Sequence, residues 1–157
     1  MASATPSLQE LAARVRDDGI VLGAAPAAPY VGAEATIRER RAQGLFADMR
    51  FTMRQPERSC HPEQLVRGAR TVVSALLPVW RPAPPRPDGP TGRMPVYAWA
   101  DPYARLRASL GRVRDVLREA GARSAVFVDA NHHVDREGAP ASRSASRTRP
   151  REVRRRA

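Results

Sequence analysis

The chain has 157 residues and a formal net charge of +11, and 42% of it is hydrophobic but only 5% aromatic. Its length bounds it to one domain, whole or partial, and no run approaches the roughly 18 consecutive apolar residues of a membrane helix. Met1 to Gln9 lack the basic-then-apolar order of a secretory signal, so the chain reads as a soluble, cytoplasmic monomer with no membrane partner. The single cysteine, Cys60, excludes an internal disulfide, and alone it holds neither an iron–sulfur cluster nor a structural zinc. With His61 it reads as a thiol and an imidazole in a turn before Pro62. All 27 basic residues are arginine, a bias that points to a GC-rich coding sequence more than to a binding surface.

Ser7-Leu8-Gln9-Glu10 is a capping-box pattern, and Leu8, Leu11, Ala12 and Val15 recur on one face. A helix is predicted from Leu8 to Asp18, stopped by Gly19. Ile20 to Ala24 reads as a short buried strand, and Ala33 to Gln43 as a second helix closed by Gly44. Pro62 to Val66 is a short helix ending at Gly68. Thr71 to Leu77 is β-branched at its start, almost wholly apolar and uncharged, which predicts a strand buried on both faces. Arg81 to Thr91 is a proline-rich loop, followed by Val96-Tyr97-Ala98-Trp99 ordered against the core.

Asp101-Pro102 is a strong helix start, with Asp as N-cap and Pro in the first turn. Leu106, Leu110, Val113, Val116 and Leu117 keep helical spacing up to a stop at Gly121. Ser124 to Val128 is then read as a strand that ends on Asp129. A strand that delivers a carboxylate is a common way to build an active site, although a strand-end Asp also caps turns. Helix, short loop and buried strand together suggest an α/β or α+β fold with a central sheet flanked by helices. From Pro140 to Ala157 the chain has seven arginines, one acid (Glu152) and one aliphatic residue larger than alanine (Val153). Such a segment cannot bury enough apolar surface to offset chain entropy of roughly 1–2 kcal/mol per residue, so it reads as a disordered basic tail.

Several segments, in order, resemble the N-terminal catalytic domain of epoxyqueuosine reductase. Gly44-Leu45-Phe46-Ala47-Asp48-Met49-Arg50-Phe51 leading to Pro56-Glu57-Arg58 is similar to the family's glycine, Met-rich stretch and proline-containing turn ending in arginine. Leu65-Val66-Arg67-Gly68-Ala69-Arg70-Thr71-Val72-Val73 is similar to its Leu-x-Pro-Gly-Ala-Arg-Ser-Val-Ile. Gly92-Arg93 with Tyr97-Ala98-Trp99 resembles its Gly-Arg-x-x-x-Tyr-Ala. Val128-Asp129 followed by Asp135-Arg136 has the spacing of some members. The likeness spans Leu8 to Ala139, which is read as a partial domain of this kind, 1–139, with 140–157 as the tail.

The resemblance implies a cobalamin-processing, flavin-reductase-like fold, cobalamin as cofactor and tRNA as partner. The implied reaction is reduction of epoxyqueuosine to queuosine at the wobble base. Asp129 matches the catalytic aspartate, which protonates the epoxide oxygen as the ring opens. Such a carboxyl works best in a water-poor pocket. Asp135, Arg136, Tyr97 and Tyr103 would lie near cofactor or substrate. Tyr97, Trp99 and Tyr103 could stack on a corrin or a base, or simply pack. No metal ligand is assigned; adjacent histidines 132 and 133 point to different sides.

The chain departs from the family in places. Where the family usually has Gly-x-Asp-Tyr-His after Tyr-Ala, this chain has Ala100-Asp101-Pro102-Tyr103-Ala104. Asn131, His132 and His133 are unfamiliar, which leaves open a divergent branch of other substrate. The family continues into a cysteine-rich ferredoxin-like part carrying four-iron four-sulfur clusters that pass electrons to cobalt, and this chain cannot bind them. It is therefore expected to be inactive alone and to bind a corrinoid weakly or not at all. GC-rich codons read in a shifted frame yield Arg, Ala, Pro and Ser. The tail thus reads as an out-of-frame segment, with a cysteine-rich continuation expected in another frame of the DNA after codon 139. Two alternatives are a corrinoid-binding module without turnover and a basic nucleic-acid-binding protein acting through the arginine tail.

Overall fold

The computed structural model describes residues 5–47, 51, 54–85, 88–135 and 137. The tail from Pro140 and the predicted site residue Arg136 lie outside the described residues. In chain order the elements are helix α1 (Leu8–Ala13), a 3-10 turn (Arg16–Asp18), strand β1 (Val21–Pro26) and helix α2 (Val31–Ala42). Single-turn helices α3 (Pro56–Ser59) and α4 (Pro62–Leu65) follow, then strand β2 (Thr71–Leu76), a 3-10 turn (Val96–Trp99) and helix α5 (Pro102–Glu119). Among the described residues this is a small α+β fold with five helices and a two-stranded antiparallel sheet.

The capping box forms as read. Ser7 Oγ accepts the Glu10 N–H at 3.3 Å, and Glu10 Oε2 accepts the Ser7 N–H at 2.7 Å. The predicted helix to Asp18 does not run through. The α-helix stops at Ala13, and Val15 leaves helical backbone (φ −126, ψ 4) to bury its side chain fully in the core. Gly19 then closes the 3-10 turn at φ +71, a left-handed conformation that costs glycine little.

β1 pairs with β2 in the register Leu22↔Ala75 and Ala24↔Val73. One face of this ribbon meets the helices: Leu11, Val15, Ile20, Leu22 and Val113 are buried together, with Val73, Ala75, Leu106, Leu110 and Leu117 packed around them. The opposite face is open at one end, where Val21 pairs with Leu76 and both are exposed. β2 is thus half-buried rather than buried on both faces, because one layer of helices covers one side of it. An apolar run alone does not say how many layers will cover it.

Helix α5 carries the signals read for it. Asp101 Oδ1 accepts the Ala104 N–H at 2.8 Å, Pro102 sits in the first turn, and Gly121 follows the last turn at φ +80. Asp18 anchors the helix to the end of the first 3-10 turn. Its carboxylate accepts from buried Ser109 at 2.7 Å and pairs with Arg112, while Arg105 donates to its carbonyl at 2.7 Å.

The segment read as a third strand, Ser124–Val128, is not one. It has the alternating burial of an extended chain but no sheet partner among the described residues. Periodicity reports which way side chains face; a strand also needs a neighbour with free backbone groups, which periodicity does not report. Among the described residues the architecture is therefore antiparallel α+β, without the helix-to-strand crossover of an α/β unit.

Candidate functional site

After α5 the chain runs extended to Val128 and bends at Asp129, which takes φ +50. Left-handed backbone costs a non-glycine residue about 1–2 kcal/mol, and Asp is among the residues that tolerate it. Strain of this kind clusters at functional sites, though it also occurs in ordinary turns. The turn re-aims the chain so that Val134 N–H donates to Ser59 O at 3.0 Å. Between these points His133 lays its ring against Tyr30, 5.6 Å between centroids, and against Phe127 at 6.3 Å.

Those contacts gather residues that lie far apart in the chain. Tyr30 precedes α2, Cys60 and His61 link α3 to α4, Glu63 lies on α4, and His133 comes from the last described loop. Tyr30 N–H donates to Cys60 O at 2.8 Å, tying two of these segments together. Burial pushes the Cys60 thiol up, with Ser59 pulling the other way, so the sulfur stays protonated and is a poor nucleophile. Burial and then the charge of Glu137 push the Tyr30 phenol up. Burial holds His133 below its ordinary value, against the pull of Asp135, so its imidazole is neutral near pH 7.

Among the described residues, three polar atoms here are buried without a hydrogen-bond partner: Tyr30 Oη, His133 Nδ1 and Glu63 Oε2. Buried polar groups normally find partners, so this cluster is electrically unfinished. A neutral imidazole beside a protonated phenol can accept or donate one hydrogen bond or one proton. Glu63 and Glu34 also grip His61, each at 2.9 Å from one ring nitrogen. Among the described residues no group of three or more His, Cys, Asp or Glu is placed to hold a metal ion.

The site residues expected from sequence fall in two places. Asp129 lies on the loop that packs against α3 and Asp135 directly follows it, and both are exposed. A water-poor pocket around the Asp129 carboxyl is not formed by the described residues. Tyr97 and Tyr103 lie at the opposite end of α5's sequence, on the second 3-10 turn and the first turn of α5. Tyr97 lines a cleft that neither Asp129 nor Asp135 joins. The Val96–Trp99 turn is locally ordered, with Trp99 Nε1 donating to Met94 O at 3.1 Å, but it is not packed into the core: Tyr97 is 53% exposed. Sequence reasoning did not find the Tyr30–Cys60–Glu63–His133 cluster. Its single local hint was the Cys60-His61 pair.

No family model, no curated protein and no solved structure matches this chain. The two clefts that stand out hold about 400 Å³, beside Arg118, Arg123 and Ser124, and about 220 Å³, beside Tyr97. Pockets that bury even a drug-sized ligand run to roughly 300–1,000 Å³, and a corrin is larger. Neither of these two clefts is large enough to enclose a corrin, and of Tyr97, Tyr103, Asp129 and Asp135 they are lined by Tyr97 alone. Among the described residues no helix is long and apolar enough to cross a membrane.

Proposed function

We propose that this chain is an epoxyqueuosine reductase-like protein of the cobalamin-processing, flavin-reductase-like type, with Asp129 as its proton donor and tRNA as its partner. The observation that carries this reading is the ordered run of similar segments, from Gly44 through Leu65–Val73 and Gly92–Trp99 to Asp129 and Asp135. The left-handed turn at Asp129 supports only the access this reading needs, since the described residues form no water-poor pocket around the carboxyl. It holds the carboxylate outward at the end of an extended segment, where a flat substrate can reach it.

A carboxylic acid beside a strained epoxide lowers the barrier by protonating the oxygen as the C–O bond breaks. In the family that this chain resembles, cobalamin supplies the reducing equivalents. Neither of the two clefts described above is large enough to enclose it. Tyr97, Tyr103, Asp135 and Arg136 are proposed as contacts on an open face. A single cysteine cannot ligate the clusters that feed electrons to cobalt, so the chain is proposed to be inactive without an outside reductant.

Titration of the full chain into hydroxocobalamin, followed in the corrin absorption bands, tests cofactor contact. A weak, saturable spectral change that Tyr103→Ala reduces is expected. A spectrum that stays unchanged at the highest protein concentration overturns the corrinoid part of the reading.

A further inference from the structure

Beyond β2, residues 77–81 run beside the 3-10 turn Val96–Trp99 and the first turn of α5, and between them lies the cleft of about 220 Å³. Two large rings stand at it in water: Trp80 is 79% exposed and Tyr97 53%. Neither ring serves the core. Scattered apolar side chains on a surface are ordinary, but two such rings in one concave place, rimmed by cations, are not.

The cations are Arg81 and Arg105. Arg105 is committed to the Asp18 carbonyl at 2.7 Å, whereas Arg81 has no ion pair or hydrogen bond among the described residues. The acid at the rim, Asp101, spends Oδ1 on the Ala104 N–H and so is a capping group with one acceptor oxygen left over. Among the described residues the cleft is therefore lined by two exposed aromatic rings, one unpaired cation and one acceptor for an amino or imino group. Its volume suits a single heterocycle and excludes a macrocycle.

We propose that this cleft takes one unstacked base of a single-stranded nucleic acid, with the base against Trp80 and Tyr97 and its phosphate on Arg81. Aromatic platforms beside unpaired cations bind single strands with little sequence preference, because every base has a π-face and every nucleotide a charge. The proposal does not depend on the corrinoid reading, and it moves Tyr97 from a corrin contact to a base contact. It also differs from binding through the arginine tail, which needs no aromatic ring.

The test is fluorescence anisotropy of a short labelled oligouridylate with the full chain, at several salt concentrations. Trp80→Ala and Tyr97→Leu should each weaken binding about tenfold or more while leaving the salt slope unchanged. Arg81→Gln should weaken binding and reduce the slope by about one. In a Trp99→Phe background Trp80 is the sole tryptophan, and its emission should be quenched on saturation. Because Trp80 is on the surface, its variant should keep the wild-type thermal midpoint. Wild-type affinity in both ring variants, or equal loss on a duplex probe of the same length, overturns the proposal. So does an absence of any binding at low salt. None of these outcomes changes the cobalamin titration, which stands or falls separately.

Discussion

His61 is gripped by two carboxylates, Glu63 at Nδ1 and Glu34 at Nε2, each 2.9 Å away. A neutral imidazole has one N–H, so only the imidazolium donates to both. The hydrogen bond to Glu34, then that to Glu63, holds His61 above its ordinary value, while His61 and then Arg38 hold Glu34 below its own. A histidine raised on folding stabilises the fold fully below about pH 6.5, its unfolded value, and loses that contribution as pH rises through the raised folded value. Glu34 works the other way, stabilising above its unfolded value and failing as acid titrates it. Both contributions overlap between the lowered Glu34 value and the raised His61 value. His133, lowered on folding, favours the neutral side and opposes His61 in acid. The informative quantity is therefore the difference between wild type and His61→Gln. Thermal midpoints measured against pH should show the largest difference near pH 5–6, shrinking through the neutral range and above. A constant difference across that range would mean that His61 acts through packing and not through charge.

Among the elements, α5 was legible, whereas Ser124–Val128 reads as a strand and is not one, and the reason is locality. Asp101, Pro102 and Gly121 act on backbone groups within a turn of themselves, so their meaning is written beside them. Ser124–Val128 needed a partner strand from elsewhere in the chain, and its alternating pattern carried no information about one. The same limit hid the Tyr30, Cys60, Glu63 and His133 cluster, which joins positions as far apart as 30 and 133 through Val134 and Ser59. Asp129 was legible as a candidate because it closes an apolar run, but its exposure was not. The ribbon β1–β2 depends on one covered face, and Leu22 lies at the centre of it, 5% exposed. Leu22→Ala should cost about 2–5 kcal/mol, the range for emptying a leucine-sized core site. Urea unfolding checks this; a loss under 1 kcal/mol would mean that the α1–β1–α5 core is not what holds the fold.

At the scale of the whole molecule, charge is unevenly spread: seven of the 27 arginines fall in residues 140–157, against one acid. Polyanion binding through those arginines releases counterions and weakens steeply with salt. Deleting residues 140–157 should flatten the salt dependence of heparin or RNA affinity, and an unchanged slope would remove the tail from any binding role. The central claim concerns Asp129 and an epoxide. The most direct test supplies the full chain with chemically reduced cobalamin, which delivers electrons without any cluster bound to the chain, and with tRNA carrying epoxyqueuosine. Queuosine is then measured by mass spectrometry of the digested tRNA. The account expects queuosine above the protein-free control, and a loss of about 100-fold or more in Asp129→Asn, the scale of a general acid's contribution. Queuosine no higher than the protein-free control, or an Asp129→Asn variant as active as wild type, would contradict it.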